Sequence, residues 1–330
     1  MVSKNDCMGW QMPVSCLDCN CKILSDPVLF VMESVKQTEF LFLEQYKGRG
    51  RYPVHSRIAL LKTLLYMELS GIPSVHMLLR ILGRDTYKMK ILGLNTLPDD
   101  SLFSRIKLEL GEYIDRMISM LTGILKKFDP SLYMELGVDS TKIEAYTYKD
   151  RQAGWGYDHL AKRHYKGYKA HMIYNTRHVV PLAYTMTNAK IHDNKMFKPL
   201  IKKLGTGILE TIGLYADKAY DSQSNIETLA SIHTTMISQR NKRKSKNKYP
   251  KYRIQYYCKV HGNRLNHLYK TRMDCEVTNG VLKEHLHLEN IKTKGIIRTK
   301  VKTGLTILAR QIQVLHQLTQ NKNTRTSIMN

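Results

Sequence analysis

The chain has 330 residues, of which 42% are hydrophobic and 24% charged, so it is long enough for two globular domains with buried cores. No apolar run approaches the length of a transmembrane helix, and the first residues lack a basic region followed by an apolar one. We therefore expect a cytoplasmic protein with reduced cysteines rather than a membrane or secreted protein. Its formal net charge of +24 indicates a polyanionic partner. We expect nucleic acid rather than a membrane, because no basic amphipathic helix lies beside an apolar anchor.

Four cysteines lie close together near the start of the chain: Cys7, Cys16, Cys19 and Cys21. Their spacing matches none of the paired patterns of structural zinc sites, so we favour buried or free thiols, with a zinc site as the alternative. A second set of potential zinc ligands also fits no common spacing: Cys258, His261, His267 and Cys275. We favour no zinc site there either.

Residues 1–130 are predicted to form a small helical domain. Apolar residues recur at helical spacing after the capping residue Ser56, and a glycine and a proline follow them: Ile58, Leu61, Leu65, Leu69, Gly71 and Pro73. Further helices are predicted over 74–82 and 102–127. Gly111 and Gly123 could interrupt the last of these. The domain suits either recognition of DNA by a helix in the major groove or a scaffold or dimerisation role, and the sequence leaves both open.

Two short segments after residue 130 alternate as half-buried strands do, and each ends in an aspartate. Apolar residues precede Asp139 in the first and Asp217 in the second: Met134, Leu136 and Val138, then Ile212, Leu214 and Ala216. If these strands are parallel neighbours, Asp139 and Asp217 emerge on one face at the carboxyl edge of the sheet, where such sheets bind ligands. A single aspartate after a strand is usually a turn residue, but the matched pair favours a site.

Other strands and helices are predicted around this pair. Strands are predicted over 168–174, 179–187 and 234–238, and helices over 194–204, 222–230 and 301–318. His192 and Asp193 could be ligands, but helix capping by Asp193 and core packing are favoured. The last helix most simply packs on the sheet.

The C-terminal third carries most of the positive charge. Residues 240–330 contain 21 lysines and arginines against four acidic residues. The most basic part, 241–253, interleaves tyrosines with cations, so we expect a loop that becomes ordered on DNA, with a solvated linker as the alternative. Only 58 residues separate Asp217 from Glu276, which leaves no room for a large inserted domain.

A helix over 269–283 is predicted to carry one polar face. Tyr269, Arg272, Glu276 and Lys283 lie at offsets of 0, 3, 7 and 14 residues, which on an α-helix places all four within about 60°. A carboxylate flanked by two cations and a phenol suits a metal-bound phosphodiester, with Glu276 as the ligand of a hard cation. Taken alone, the same residues also fit a solvated charged face.

The spacing Tyr-x2-Arg-x3-Glu-x6-Lys resembles the Tyr-Arg-Glu-Lys signature of insertion-sequence transposases of the DDE type. Other segments resemble that family in the same order: Val-Asp-Ser-Thr over 138–141 its first-aspartate strand, Tyr-Ala-Asp-Lys-Ala-Tyr-Asp over 215–221 its second, with 165–171 and 188–193 between them. Ala216 and Ala219 stand where the family often has glycine. The resemblance spans most of the chain after residue 130.

This resemblance implies an α/β fold. A ribonuclease H-like mixed sheet flanked by helices would occupy 131–320, preceded by the small all-helical domain over 1–130 and followed by a polar tail over 321–330. The predicted order of strand, strand, strand, helix, strand, helix, strand, helix is also that of the ribonuclease H-like fold.

The resemblance also implies metal-dependent DNA chemistry. Asp139, Asp217 and Glu276 would be the catalytic residues and would hold two Mg²⁺ ions, for which Mn²⁺ could substitute. The other residues of the signature would bind DNA phosphates: Tyr269, Arg272 and Lys283. No covalent protein nucleophile is required, so neither Ser140 nor Tyr269 is assigned that role.

The implied partners are double-stranded DNA, at terminal inverted repeats and at the target, and a second copy of the chain in a homodimer. The implied reaction is cleavage at the repeats followed by transfer of the 3′-hydroxyl ends. A nuclease of the same fold that does not join strands is one alternative. A non-catalytic DNA-binding derivative is another.

Overall fold

The computed structural model describes residues 53–158, 161–238, 257–259 and 270–325, with only the backbone at 257–259. The four N-terminal cysteines, the basic tract over 241–253 and Tyr269 therefore lie outside the described residues. The chain divides into two compact units, 1–106 and 107–330. None of the described helices is long and apolar enough to cross a membrane.

Short capped helices make up the described part of the first unit. They are α1 (Arg57–Leu69), α2 (Val75–Leu82) and α3 (Thr86–Leu92). The Ser56 side chain accepts a hydrogen bond from the Ala59 N–H at 3.3 Å, which confirms the predicted cap and start of the first helix. Ser74 caps α2 in the same way. Helix α3 was not predicted from the sequence.

Helix α4 (Asp100–Phe128) is continuous, so the predicted interruptions at Gly111 and Gly123 are wrong. Gly111 instead allows close packing, because a Cβ there would lie 3.0 Å from Ile297 Cγ2. The division between the compact units falls inside α4. The domain boundary predicted near residue 130 stays a prediction.

The second unit is built on a mixed sheet. Its described strands are β1 (Glu135–Glu144), β2 (Gly154–Asp158), β3 (Arg163–Asn175), β4 (Val180–Asn188), β5 (Gly213–Ala216), β6 (Thr235–Ser238) and β7 (Tyr257–Lys259). The strand order is β2-β3-β1-β5-β6-β7, and β4 also pairs with β3. Strand β3 is antiparallel to β1, β2 and β4, whereas β1, β5, β6 and β7 are parallel to one another.

Helices flank this sheet. They are α5 (Asp193–Lys203), α6 (Gln223–Ala230), α7 (Met273–Gly280) and α8 (Ile296–Thr319), with short 3₁₀ turns over Gly205–Glu210 and Lys218–Tyr220. Leaving aside β2 and β7, which were not predicted, the elements follow the predicted order. This is the ribonuclease H-like arrangement, a mixed sheet flanked by helices and preceded by N-terminal helices.

Helix α8 packs against β4 and is buried over most of its length, as predicted for the last helix. Its Arg310 side chain is fully buried and donates hydrogen bonds to three main-chain carbonyls: those of His178, Val179 and Thr324. A buried guanidinium is tolerated only when such acceptors satisfy it.

Three details of the predicted elements are wrong. Strand β1 does not end at Asp139 but continues to Glu144, because its second half pairs with β3 alone. Strand β5 is buried at every position, since both faces of a parallel sheet are covered, so it is not half-buried. His192, and not Asp193, caps α5: its Nδ1 accepts from the Asn194 N–H at 3.3 Å.

Candidate active site

Asp139 and Asp217 lie at the same edge of neighbouring parallel strands. Val138 of β1 pairs with Ala216 of β5, and each aspartate is the next residue along its strand. Adjacent strands are about 4.8 Å apart, so the register brings the two residues together as the sequence predicted. Each carboxylate accepts a hydrogen bond from the N–H of the following residue, at 2.8 Å for Asp139 and 2.6 Å for Asp217.

The environment of Asp139 disfavours its negative charge. Burial raises the pKa of this carboxyl to about 7, and the nearby carboxylates of Asp217 and Asp193 act in the same direction. The Ser140 N–H and the Arg272 guanidinium act in the opposite direction but do not offset burial. Among the described residues, the positive charge near Asp139 is therefore too small to offset its burial.

Helix α7 packs on β1 beside these aspartates. A Cβ on Gly137 would overlap the Sγ atom of Cys275, so glycine is needed for the helix to lie this close to the strand. The Cys275 thiol is fully buried at this contact, and burial raises its pKa far above the usual range. These observations make Cys275 a packing residue.

Asn279, on α7, connects Asp139 to the core. The buried Tyr174 hydroxyl donates to Asn279 Oδ1 at 2.6 Å, and Asn279 Nδ2 lies 3.4 Å from Asp139 Oδ2, within donating distance. The donor on one side fixes the orientation of the amide, so its N–H group points at the carboxylate. Sequence reasoning missed Asn279, although its position three residues after Glu276 puts it on the same side of the helix.

Arg272 and Glu276 lie together at the start of α7. Arg272 Nη2 donates to Glu276 Oε1 at 2.9 Å, while the Glu276 side chain is 58% exposed. Arg272 also lowers the pKa of Asp139, so its charge is felt at both carboxylates. Among the described residues, no group of three or more His, Cys, Asp or Glu side chains is gathered closely enough to hold a metal ion.

Lys283 lies in the segment that directly follows α7. The segment Val281–His285 is a π-helical turn, and Lys283 Nζ pairs with Glu289 Oε1 at 2.6 Å. The predicted α-helix over 269–283 is therefore wrong at its C-terminal end, because α7 ends at Gly280 and a π-helical turn follows.

A third carboxylate, Asp193, borders the aspartate pair. Its Oδ1 atom accepts a hydrogen bond from Lys169 Nζ at 3.1 Å and lies 3.5 Å from His171 Nδ1. His171 is fully buried, with Nε2 2.8 Å from Thr187 Oγ1, and burial lowers its pKa to about 4. A neutral His171 and a charged Lys169 therefore flank Asp193.

The aspartate pair fits a divalent cation. Asp139 and Asp217 offer hard carboxylate oxygens, the ligands that Mg²⁺ and Mn²⁺ prefer. The raised pKa of Asp139 arises from burial beside other carboxylates, and a bound cation supplies the charge that such a site lacks.

Comparison with known proteins identifies a family for this chain. The family model described as the transposase DDE domain matches residues 131–312, more than half of the chain. No curated protein sequence matches significantly. Among solved structures, the cryo-EM structure of the piggyBac transposase synaptic complex with hairpin DNA aligns at 10% identity and a TM-score of 0.45, covering 98% of this chain and 79% of that one. On its family match, this chain belongs to the transposase DDE domain family.

Proposed function

We propose that the chain is an insertion-sequence transposase with a Tyr-Arg-Glu-Lys signature. It cleaves DNA at the terminal inverted repeats of its element and joins the 3′-hydroxyl ends to target DNA. The observation that carries the proposal is the register of β1 with β5, which sets Asp139 beside Asp217 within the segment that matches the family.

Asp139, Asp217 and Glu276 are the proposed metal ligands, with two Mg²⁺ ions as the cofactor and Mn²⁺ as a substitute. When bound, the two cations activate the attacking water or 3′-hydroxyl and stabilise the leaving oxygen. Support for Glu276 comes from Asn279, which lies three residues later on the same side of α7 and reaches Asp139.

Arg272, Lys283 and Tyr269 are proposed to hold DNA phosphates. In the structure Arg272 and Lys283 pair with carboxylates that are themselves more than half exposed. Exposed ion pairs of this kind contribute about 0–1 kcal/mol, so a phosphate can replace either carboxylate at little cost. The charge of the protein, +24, favours that exchange.

The proposed partners are double-stranded DNA, at the inverted repeats and at the target, and a second copy of the chain. Two ends of the element must be cut in concert, which a homodimer on DNA accomplishes. The proposed location is the cytoplasm, in association with the nucleoid, where that DNA is found.

The direct test uses a plasmid that carries the DNA flanking the gene, incubated with Mg²⁺ and the protein, followed by mapping of every new 3′ end. We expect breaks at the tips of inverted repeats and joined products with wild-type protein. Asp139→Asn, Asp217→Asn and Glu276→Gln should each abolish both products, because each removes a charged ligand. DNA binding should remain within about threefold of wild type, since no phosphate contact is lost.

The matched control is Glu284→Gln, which removes an exposed carboxylate from the same segment as Glu276. It should cleave as wild type does. Scattered metal-dependent nicks without joined products would indicate a nuclease instead of a transposase. Binding without breaks under either metal would indicate a non-catalytic DNA-binding protein.

A further inference from the structure

An unusual set of side chains lies at the far end of β1. The four most exposed aromatic residues in the described part of the chain fall within a stretch of twelve residues: Tyr146, Tyr148, Trp155 and Tyr157, which are 60%, 68%, 52% and 46% exposed. We call these four residues the aromatic surface. Clustered exposed aromatic side chains mark interaction sites, because a fold that needs them only for packing buries them.

Strand β2 presents its aromatic residues outwards. Along Gly-Trp-Gly-Tyr-Asp, Trp155 and Tyr157 are exposed, while the glycines lie against the body of the unit. A Cβ on Gly154 would lie 2.9 Å from Lys190 Cγ, and one on Gly156 would lie 2.9 Å from the Tyr165 ring. The strand thus packs through its backbone, and Trp155 and Tyr157 remain about half exposed.

The segment that joins β1 to β2 is held firmly in place. The buried Asp150 carboxylate accepts hydrogen bonds from the Tyr168 hydroxyl at 2.7 Å and from the Gly295 N–H at 2.9 Å. Lys166 Nζ donates to the Tyr148 carbonyl at 2.6 Å. Binding to such a preorganised surface costs little conformational entropy.

The rings are arranged for stacking. Tyr148 and Trp155 stack on each other with ring centroids 6.0 Å apart and an angle of 28° between their planes. Tyr157 meets His164 edge to face at 5.1 Å. Tyr148, Trp155 and Tyr157 remain 68%, 52% and 46% exposed in spite of these contacts.

Positive charge surrounds the aromatic surface. Exposed cations lie within this stretch and just after it: Lys149, Arg151, Lys162 and Arg163. The carboxylates of the same stretch are already engaged, since Glu144 pairs with Arg163 at 2.5 Å and Asp158 pairs with Lys142. Open aromatic faces among cations are the features that bind unpaired bases and their phosphates.

We propose that the aromatic surface binds single-stranded DNA by stacking unpaired bases on Tyr148 and Trp155. A base-paired duplex hides the faces of its bases, so the surface selects strands that are open. Glu144 lies five residues beyond Asp139 on β1, about 17 Å along the strand, so an opened strand on this surface can extend to the aspartate pair. The inference rests on the proposed function only for the choice of DNA as the partner.

The test measures tryptophan fluorescence in EDTA, so it does not depend on cleavage. Trp10→Phe leaves Trp155 as the only tryptophan of the chain. We expect a single-stranded dT oligonucleotide to quench this fluorescence on binding, with binding followed separately by anisotropy of a labelled oligonucleotide. Trp155→Ala should weaken binding of the oligonucleotide about 5- to 150-fold, and Tyr148→Ala comparably, whereas Trp155→Phe, which keeps a ring, should lose less.

Duplex binding and its salt dependence should change little in Trp155→Ala, because no cation is removed. Leu209→Ala, at another exposed apolar residue, is the matched control and should bind as wild type does. Unchanged Trp155 fluorescence at saturating oligonucleotide would overturn the proposal. A Trp155→Ala variant that binds the oligonucleotide normally would also overturn it. If Trp155→Ala changes only the sedimentation of DNA-free protein, the aromatic surface is instead a contact between copies of the chain.

The two proposals fail separately. Stacking without metal-dependent breaks in the plasmid assay would refute the transposase function and leave the aromatic surface standing. Breaks at the inverted repeats without stacking would refute the role of the aromatic surface and leave the transposase function standing.

Discussion

At the scale of single residues, the site depends on groups that the sequence signature does not contain. Asn279 is such a group, since it joins the buried Tyr174 hydroxyl to Asp139. Its partners are 105 and 140 residues away along the chain, so no local pattern could reveal the connection. The two aspartates, in contrast, could be found because each comes directly after a short run of alternating apolar residues.

Asn279→Ala should lower the rate of plasmid cleavage about 10-fold or more and raise the Mg²⁺ concentration needed for half the maximal rate, because Asp139 loses the donor that orients it. Tyr174→Phe should have a smaller effect in the same direction, since the amide remains but is no longer fixed. Cleavage rates against Mg²⁺ concentration measure both. If Asn279→Ala cleaves normally at low Mg²⁺, Asn279 has no role in the site. Glu284→Gln is again the control.

His171 should make stability depend on pH. Its pKa is about 4 in the folded protein, below the ordinary value of 6.5, so the unfolded chain binds the extra proton first as the pH falls. The free energy of unfolding should therefore decrease between about pH 6.5 and 4, by up to about 3 kcal/mol. His171→Gln should lose this part of the dependence, as urea unfolding at pH 7 and pH 4.5 would show. Equal decreases in both proteins would contradict it.

At the scale of elements, the contact of α7 with β1 positions the site. Gly137→Ala should destabilise the protein by about 1–3 kcal/mol, because the added methyl overlaps the Cys275 sulfur. Gly137→Ala combined with Cys275→Ala should recover much of that loss, since the Cys275 Cβ lies 3.9 Å from the new atom. Urea unfolding of the single and double variants measures the coupling.

Gly123→Ala, at a helical position with open space around it, is the matched control for this experiment. It should stabilise the protein slightly, because alanine favours a helix over glycine. If the double variant is no more stable than Gly137→Ala alone, the sulfur is not the cause of the strain.

Some helices and strands could be predicted from the pattern of the sequence, and others could not. Helical spacing and the Ser56 cap identified α1, and alternation identified the cores of β1 and β5. Strand β2 was not predicted, because glycines and not apolar side chains occupy its inward positions. The π-helical turn over Val281–His285 was not predicted, because an added residue per turn leaves no mark on local composition.

At the scale of the whole molecule, charge dominates. A net charge of +24 should make plasmid binding strongly dependent on salt, with log K falling by about 0.9 for each phosphate contacted on duplex DNA. Titrations at several salt concentrations between low and physiological ionic strength measure this slope. An affinity that does not change with salt concentration would contradict the inference that the net charge drives binding to DNA.

The position of α8 in the chain affects folding during synthesis. This helix is synthesised after the described strands of the sheet, yet it fills the core beneath β4, and its Arg310 needs the carbonyl of Thr324. Synthesis of the stretch from Ala216 to Thr324 takes about 5 to 20 seconds at a rate of about 5–20 residues per second. Throughout that time β4 lacks the helix that covers it, so the aspartate pair should become ordered only after translation has passed residue 324.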